Sequence, residues 1–366
     1  MLAPTLQQTG RTFVREKGQG RKLIYFGGCD YFRMASHPEV LRALHAGADC
    51  YGLNVAASRL TTGNHQLFVA LETALAKFFG VEGATLFSTG YATNLAFAQS
   101  FTGHFTHALL DARLHGSPRD AAELLRCPVK TFAHRDANDL RCQLKTCGRS
   151  ARPLVLTDGM FSHDGSLAPL AEYLVVLPRA GMLLVDDAHG GGTLGRTGQG
   201  TPEVCGVRDE RLVQTISLSK AVGVYGGALL GSAKIIRAVQ ERSHIFIGNT
   251  PMPLPLAAAA LKSLQLLRRD RSLRARLHAN TTRLKAALLA AGFPVIDNAS
   301  PLVALLPREA RHAARTKTAL LRAGIFPPLI RYSGGPPGGY FRFALSSEHT
   351  PAQLDRLAAV LIASLK

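Results

Sequence analysis

The sequence predicts an α/β fold, in which a mostly parallel sheet is flanked by helices and followed by a smaller C-terminal α/β domain. Two observations support this prediction. Short apolar, β-rich runs alternate with helical patterns through the centre of the chain, and this alternation ends near residue 250. Such spacing is typical of right-handed βαβ crossovers, which make neighbouring strands parallel and place helices on both faces of the sheet. The 366 residues are enough for one large and one smaller domain.

The predicted elements of the central sheet follow this alternation. Each predicted strand is a short apolar run, and each predicted helix has apolar residues at helical spacing. The strands are residues 84–88, 107–111, 129–134, 153–158, 181–188, 211–217 and 227–232. The helices between them are residues 91–101, 117–126, 137–147 and 168–180.

The last third of the chain has a different pattern, with longer helices and fewer strands. Thr350 is expected to cap the final helix, with Pro351 at its first position. The predicted elements are helices over 252–267, 266–292, 309–324 and 351–366 and strands over 301–307 and 340–345. The predicted organisation is an N-terminal segment over 1–45, a large domain over 46–260 and a small C-terminal domain over 261–366.

The charge balance favours polyanionic partners. Lys and Arg total 43 against 25 acidic residues, which gives a net charge of +18. The cations are scattered, so the basic stretch 266–292 has two interpretations. One is an ordinary solvated helix face, and the other is attraction of a CoA thioester or an acidic carrier protein.

Other features of the composition concern location and metals. No apolar run is long enough to span a membrane, and the N-terminus lacks the apolar stretch of a signal peptide, so we expect a cytoplasmic protein. The six cysteines form no CxxC pair and have no zinc-type spacing. We therefore expect reduced, mostly buried thiols and no metal site.

Polar residues follow the first strand predicted for the central sheet. They lie at the edge of the sheet where ligands of parallel α/β sheets bind. Strand 84–88 leads directly into Thr89, Gly90 and Tyr91, which open a helix. Backbone N–H groups at a helix N-terminus favour a bound phosphate, and Gly90 permits close approach of the backbone. An ordinary strand–glycine–helix connection is the alternative.

Two later strands end in residues suited to the ring and aldehyde of a cofactor. Asp186 ends one strand and is suited to a protonated pyridine nitrogen, while His189 is suited to a phenolic oxygen. A capped turn with a surface histidine is the alternative. Another strand ends in Ser217 and is followed by Lys220, whose amine becomes nucleophilic toward an aldehyde when it is desolvated. Together these parts predict pyridoxal 5'-phosphate (PLP), held as a Schiff base on Lys220.

These residues lie in stretches that resemble the α-oxoamine synthases, a family of fold-type-I PLP enzymes. The resemblance runs from residue 26 to residue 357 and covers nearly the whole chain. It implies an aspartate-aminotransferase-like fold. The strongest stretches are residues 58–80, 87–94, 160–170, 185–200 and 217–227.

By position, the resemblance implies roles around the cofactor ring. Lys220 would carry the Schiff base and serve as the acid–base group for the substrate α-proton. Asp186 would bind the pyridine nitrogen, and His189 would contact the phenolic oxygen. His115 would stack on the ring face. These four residues are the expected catalytic set.

The resemblance also implies which residues hold the phosphate. Gly90 and Tyr91 would offer backbone donors, and Ser217 would offer a hydroxyl. Ser162 would lie close to the cofactor. Thr250 would reach the phosphate of the neighbouring subunit, because the sites of this family form at a homodimer interface.

Substrate recognition is implied less completely. Arg342 would clamp the amino-acid carboxylate with a bidentate fork. Cys29 stands where the family has an Asn that helps to bind this carboxylate, and residues 54–57 replace a glycine-rich stretch. Asp158 replaces the usual Glu, and His163 replaces the usual Met. The identities of the amino acid and of the acyl donor therefore stay open.

The predicted reaction condenses a small amino acid with an acyl thioester, from acyl-CoA or an acyl carrier protein, with decarboxylation to an α-aminoketone. An aminotransferase acting on an amino acid and a 2-oxo acid would share Lys220, Asp186 and Arg342 and is the alternative. His115 favours the synthase, because many aminotransferases use an aromatic ring as the stacking group. A DNA-binding regulator of this fold would need an added module, for which there is no room before residue 36, so no nucleic-acid partner is expected.

Overall fold

The structure, a computed structural model, describes residues 4–16, 20–307, 309–331 and 338–365. The chain forms two compact units. The larger unit comprises His37–Phe161 and Leu167–Asp270, and the smaller unit comprises Met1–Ser36, Ser162–Ser166 and Arg271–Lys366. The domain limits predicted after residues 45 and 260 stay predictions.

Strands and helices alternate through the larger unit, and the smaller unit adds strands and helices at both ends of the chain. The strands are β1 (Leu6–Gln8), β2 (Phe13–Glu16), β3 (Lys22–Ile24), β4 (Gly83–Phe87), β5 (His107–Asp111), β6 (Val129–Phe132), β7 (Pro153–Asp158), β8 (Met182–Asp186), β9 (Leu212–Ser217), β10 (Gly227–Gly231), β11 (Leu302–Leu305), β12 (Leu329–Ile330) and β13 (Tyr340–Ala344). The helices are α1 (Pro38–Tyr51), α2 (Gln66–Phe79), α3 (Gly90–Ser100), α4 (Gly116–Glu123), α5 (Ala137–Lys145), α6 (Leu170–Val176), α7 (Thr201–Val204), α8 (Ala233–Arg242), α9 (His244–Ile247), α10 (Leu254–Arg269), α11 (Ser272–Ala290), α12 (Ala310–Arg322) and α13 (Pro351–Leu365).

A seven-stranded sheet forms the centre of the larger unit, with the strand order β4-β10-β9-β8-β7-β5-β6. β10 is antiparallel to both of its neighbours, and the other pairs are parallel. The carboxyl ends of β4, β7, β8 and β9 therefore lie along one edge of the sheet. The predicted mostly parallel sheet is confirmed.

Helices cover both faces of this sheet. Successive residues of β7 point to opposite faces, so that Leu154 and Leu156 join one apolar core and Val155 joins the other. Phe97 of α3 packs in the first core, and Tyr173 of α6 packs in the second. The apolar runs of the sequence are thus buried on two sides, as in other parallel sheets.

The smaller unit contains two sheets of three strands, and all of their strand pairs are antiparallel. The strand order is β1-β2-β3 in the N-terminal sheet and β11-β13-β12 in the C-terminal sheet. The sequence does not predict the N-terminal sheet, because its strands have only three or four residues and show no clear alternation.

Helix ends follow the capping chemistry of the sequence. The Thr89 hydroxyl accepts a hydrogen bond from the N–H of Ala92 at 3.0 Å, which begins α3 directly after β4. The Thr350 hydroxyl accepts from the N–H of Gln353 at 3.3 Å, and Pro351 is the first residue of α13, as predicted. Lys366, the last residue of that predicted helix, lies outside the described residues.

Some predicted details are wrong. The stretch 266–292 is not one helix, because α10 ends at Arg269 and α11 begins at Ser272. The helix predicted over 168–180 ends at Val176, because Pro178 holds the preceding residue in an extended conformation. The cysteines are not mostly buried, since Cys50 and Cys142 are exposed and the other four are half-buried. Among the residues that the structure describes, no helix combines the length and the apolar content needed to cross a membrane.

Candidate active site

A cavity of about 200 Å³ lies at the edge of the large sheet where the parallel strands end. Its wall belongs entirely to the larger unit. Parallel strands bring their carboxyl ends to one edge, so residues far apart in sequence meet there. The predicted residues in the wall are Gly90, Tyr91, His115, Asp186, His189, Ser217 and Lys220.

Asp186 is the last residue of β8 and is held in a fixed orientation. Its Oδ2 accepts a hydrogen bond from the Asn94 amide at 2.8 Å, and its Oδ1 accepts from the N–H of Ala188 at 3.1 Å. The same Asn94 amide donates to the Ser117 hydroxyl at 2.9 Å. The Thr215 hydroxyl in turn donates to the Asn94 carbonyl at 2.9 Å. A buried hydrogen-bond chain therefore aims this carboxylate.

Asp158 is a second buried carboxyl in the wall, and sequence reasoning treated it only as a departure from the family. It ends β7 and is the register partner of Asp186 on β8. Burial and the charge of Asp186 raise the pKa of Asp158 well above its usual range. Its Oδ1 accepts a hydrogen bond from the N–H of His115 at 3.1 Å. The strand-end position that identifies Asp186 would also have identified Asp158.

His115 lies between β5 and α4 in the cavity wall. Its Nδ1 accepts a hydrogen bond from the N–H of Ser117 at 3.2 Å and so caps α4. The backbone N–H of His115 is bound by Asp158, as described above. Both contacts fix the ring, and in its neutral form the proton lies on Nε2.

The turn between β4 and α3 has the backbone that a phosphate site needs. A Cβ on Gly90 would lie 3.0 Å from the Cβ of Ser217, so the two strand ends approach closely here. A Cβ on Gly227 would lie 2.6 Å from the Gly90 nitrogen. The side chain of Tyr91 is bound by Asp120, which leaves its backbone at the first turn of α3. These glycines permit the close packing of the strand ends, and the N-terminus of α3 lies in the cavity wall, where its N–H groups favour an anion.

Lys220 follows β9 in a tight loop and is half-buried in the wall. The N–H of Gly223 donates to the carbonyl of Lys220 at 3.0 Å, and Gly223 has a φ of 69°. The positive charge of Lys220 opposes the rise in the pKa of Asp158. His189 is buried, so the alternative of a surface histidine is wrong.

Three predicted residues are not in this wall. Arg342 lies on β13 of the smaller unit, where its Nη1 donates to the carbonyl of Ser162 at 2.8 Å. Ser162 belongs to the same unit. Thr250 is exposed and follows α9 in the larger unit. Their predicted roles stay predictions.

The wall residues fit PLP. A fixed carboxylate is suited to the ring nitrogen, and an open helix N-terminus is suited to the phosphate. Lys220 supplies an amine, and His189 and His115 supply imidazoles. Sequence reasoning missed Asn94, which lies four residues after Gly90 on α3 and therefore on the same face of that helix. That spacing is the signal that could have found it.

Comparisons with known sequences give matches along nearly the whole chain. A family model described as aminotransferase class I and II matches residues 21–361. A protein named 8-amino-7-oxononanoate synthase, from Thioalkalivibrio sulfidiphilus, is 36% identical over 360 residues, which cover 98% of this chain and 92% of that protein. A protein of the same name from Nitrosomonas europaea is 37% identical over 348 residues, which cover 93% and 89%.

Solved structures of similar fold also match nearly the whole chain. A serine palmitoyltransferase variant from S. paucimobilis with a bound PLP–myriocin aldimine has a TM-score of 0.92 and 29% identity, covering 99% of this chain and 92% of that chain. The 8-amino-7-oxononanoate synthase of Francisella tularensis has a TM-score of 0.80 and 26% identity, covering 93% and 97%. The chain thus resembles these proteins along nearly its whole length.

Proposed function

Because the chain belongs to the α-oxoamine synthase family of the class I and II aminotransferases, we propose a specific reaction for it. Members of this family are PLP-dependent acyltransferases, and so is this chain. The proposed reaction condenses a small amino acid with an acyl thioester, with decarboxylation to an α-aminoketone. A C–C bond forms between the amino-acid α-carbon and the thioester carbonyl carbon. The C–S bond breaks and the thiol leaves with a proton. The carboxylate leaves as CO₂ and a proton takes its place.

The single observation that carries the proposal is the meeting of Lys220 with the buried Asp186 in one cavity wall. PLP, when bound, supplies an electron sink for negative charge at the substrate α-carbon. Asp186, aimed by Asn94, would keep the proton on the ring nitrogen. The Lys220 amine would hold the cofactor covalently and afterwards move the α-proton.

His115 and His189 would orient the cofactor and the reacting groups. His115 is held at its backbone by Asp158 and at Nδ1 by Ser117, so its ring offers a fixed face. His189 is buried in the same wall and would donate to the phenolic oxygen. Preorganised groups of this kind cost no reorientation during the reaction.

Substrate capture would depend on Arg342 and on the thioester. Arg342 would bind the amino-acid carboxylate with a bidentate fork. The net charge of +18 supports an anionic donor, either CoA or a carrier protein. We also propose a homodimer, in which Thr250 would reach the phosphate bound by the neighbouring subunit.

The test is a reaction screen with PLP-loaded protein. Small amino acids are paired with acyl-CoAs of increasing chain length and, separately, with the same acyl groups on a carrier protein. Thiol release and the mass of the product are measured. We expect thiol release that requires the amino acid, together with an α-aminoketone that has lost CO₂.

Two other outcomes contradict the proposal, and a third identifies the acyl donor. Amino transfer to a 2-oxo acid with no use of thioester would instead identify an aminotransferase. Thiol release that proceeds without any amino acid would indicate simple thioester hydrolysis. Release from the carrier protein but not from CoA, or the reverse, would identify the donor.

A further inference from the structure

Lys285 is a buried lysine that the proposed reaction does not use. It lies on α11 in the smaller unit and is 3% exposed. Burial lowers its pKa to about 8. Lysine is among the residues least often fully buried, so a specific set of partners must compensate for its charge.

The hydrogen-bond acceptors of Lys285 are the two oxygens of Asn298, and the nearby charge of Asp297 partly opposes the lowering of its pKa by burial. Its Nζ donates to the carbonyl oxygen of Asn298 at 2.9 Å and to the Asn298 side-chain Oδ1 at 2.8 Å. The N–H of Ser300 also donates to this Oδ1 at 3.0 Å. With its oxygen occupied twice, the Asn298 amide group can turn its NH₂ in one direction only. Lys285 therefore fixes the orientation of Asn298.

The NH₂ of Asn298 points at the segment Ser162–Ser166. It donates to the carbonyl oxygen of Gly165 at 2.9 Å. Gly165 has a φ of 78°, and a Cβ there would lie 2.2 Å from the Ser300 hydroxyl. Because this glycine packs directly against a buried serine, the segment has little room to shift at this point.

The segment is also stiff within itself. The N–H of Ser166 donates to a carboxylate oxygen of Asp164 at 2.8 Å, and His163 Nε2 lies 3.1 Å from the other one. Although burial raises the pKa of Asp164, its contacts with His163 and Ser166 hold that pKa below its usual range. These contacts connect His163, which follows Ser162, with Ser166, which follows Gly165.

Ser162 is where the segment contacts the predicted substrate arginine. Its carbonyl accepts the hydrogen bond from Arg342 Nη1 at 2.8 Å. A continuous path thus runs from Lys285 through Asn298 and the segment to the guanidinium of Arg342. Every member of this path belongs to the smaller unit.

We propose that Lys285 and Asn298 are positioning residues that set the orientation of Arg342 toward the carboxylate of the amino-acid substrate. They act through Ser162–Ser166 and do not contact the substrate. A guanidinium must meet a carboxylate in a fixed plane to donate two parallel hydrogen bonds. This inference rests on the proposed function, in which Arg342 binds the carboxylate.

The experiment uses PLP-loaded protein and two variants that cut the path at different points. Lys285→Met removes the donor to Asn298 at similar volume. Asn298→Asp keeps acceptors for Lys285 and for Ser300 but removes the donor to Gly165. Arg283→Gln is the matched control, because Arg283 lies on the same helix and pairs with Asp355 at the surface, away from the path.

Glycine, L-alanine and L-serine are each titrated, and binding is followed by the absorbance of the cofactor. Both path variants are expected to lose about tenfold in affinity for the amino acid, which corresponds to the coupling between neighbouring residues of one network. The absorbance of the cofactor before titration and the KM for the thioester should not change. Arg283→Gln should bind amino acids as the unmodified protein does.

A double-mutant cycle separates positioning from a general loss of stability. In an Arg342→Met background, Lys285→Met should cause no further loss of amino-acid affinity. Additive losses would overturn the inference, and so would Lys285→Met and Asn298→Asp proteins that melt at lower temperature but bind amino acids normally. If Arg342→Met alone leaves affinity unchanged, Arg342 does not bind the carboxylate and the inference is overturned. Thiol release by the unmodified protein that requires the amino acid would show that the proposed reaction stands even then.

Discussion

Two groups of buried ionisable residues, one in each unit, are arranged in opposite ways. In the larger unit, Asp186 and Asp158 stand side by side on neighbouring strands and face a cavity. In the smaller unit, Lys285 is enclosed and both of its hydrogen bonds go to Asn298. A pair of carboxyls facing open space is suited to act on a bound molecule, whereas an enclosed lysine is suited to hold the chain in place.

This contrast predicts how each region fails. Loss of a charge in the cavity wall should reduce the rate of the chemical step or the hold on the cofactor. Loss of the buried charge in the smaller unit should change substrate affinity, as tested above. The following substitutions test the cavity wall. A wall residue whose loss changed only the affinity for the substrate, as is expected for Lys285, would contradict this contrast.

Lys220→Ala should have the largest effect. It removes the amine that holds the cofactor and moves the α-proton, so activity should fall by about a thousandfold or more. The Schiff-base absorbance band of the purified protein should disappear with it. A band that persists in the variant would assign the linkage to another lysine and remove the basis of the cofactor site.

Asp186→Asn should follow, with a loss of about a hundredfold in kcat. The amide cannot stabilise a proton on the ring nitrogen, although its shape is the same. Asp187→Asn is the matched control, because Asp187 is also buried but accepts hydrogen bonds from Thr201 and Gln214 outside the cavity wall. Equal losses of kcat in both variants at equal folding stability would contradict a special role for Asp186.

Asn94→Ala should have a smaller effect, about tenfold in kcat. Asp186 keeps its charge but loses the donor at its Oδ2. The hydroxyls of Ser117 and Thr215 also lose a partner, so the free energy of unfolding should fall by about 1–3 kcal/mol. Rate assays and urea denaturation measure both quantities. A stability loss with unchanged kcat would make Asn94 purely structural.

The sequence predicts the cavity wall much better than it predicts the path to Arg342. Asp186 ends a strand, Gly90 and Lys220 closely follow strands, and parallel strands bring such positions together regardless of loop detail. Asn298 lies in an irregular stretch with no periodic signal. Its contact with Gly165 joins residues 133 positions apart, which no local pattern contains, and its contact with Lys285 crosses the end of α11.

The same limit explains the errors at element ends and in the N-terminal sheet. The end of α6 is set by Pro178, which the helical pattern runs past. The strands β1 to β3 have too few residues for a period to be visible. Long periodic elements are therefore predictable, while short strands need their tertiary partners to be defined.

Asp158→Asn should have the smallest effect of these substitutions, a change in how the free energy of unfolding depends on pH. It tests whether both carboxyls of the cavity wall are charged. Because the native pKa of Asp158 is raised, the folded protein keeps a proton that the unfolded chain releases above its ordinary value near 3.8. The folded state therefore binds more protons, and stability falls as pH rises from that value toward the native pKa. Asn mimics the protonated acid and can still accept from His115.

Compared with the unmodified protein, the variant should therefore lose less stability between pH 5 and pH 8, by about 1.4 kcal/mol in the free energy of unfolding for each pH unit over which the native Asp158 stays protonated. Urea denaturation of PLP-saturated protein across this range measures it. Asp187, whose pKa is raised to about 7 by burial, contributes the same slope to both proteins and cancels in the difference. Parallel pH profiles would mean that Asp158 is ionised in the cavity, and the wall would then carry two negative charges next to Lys220.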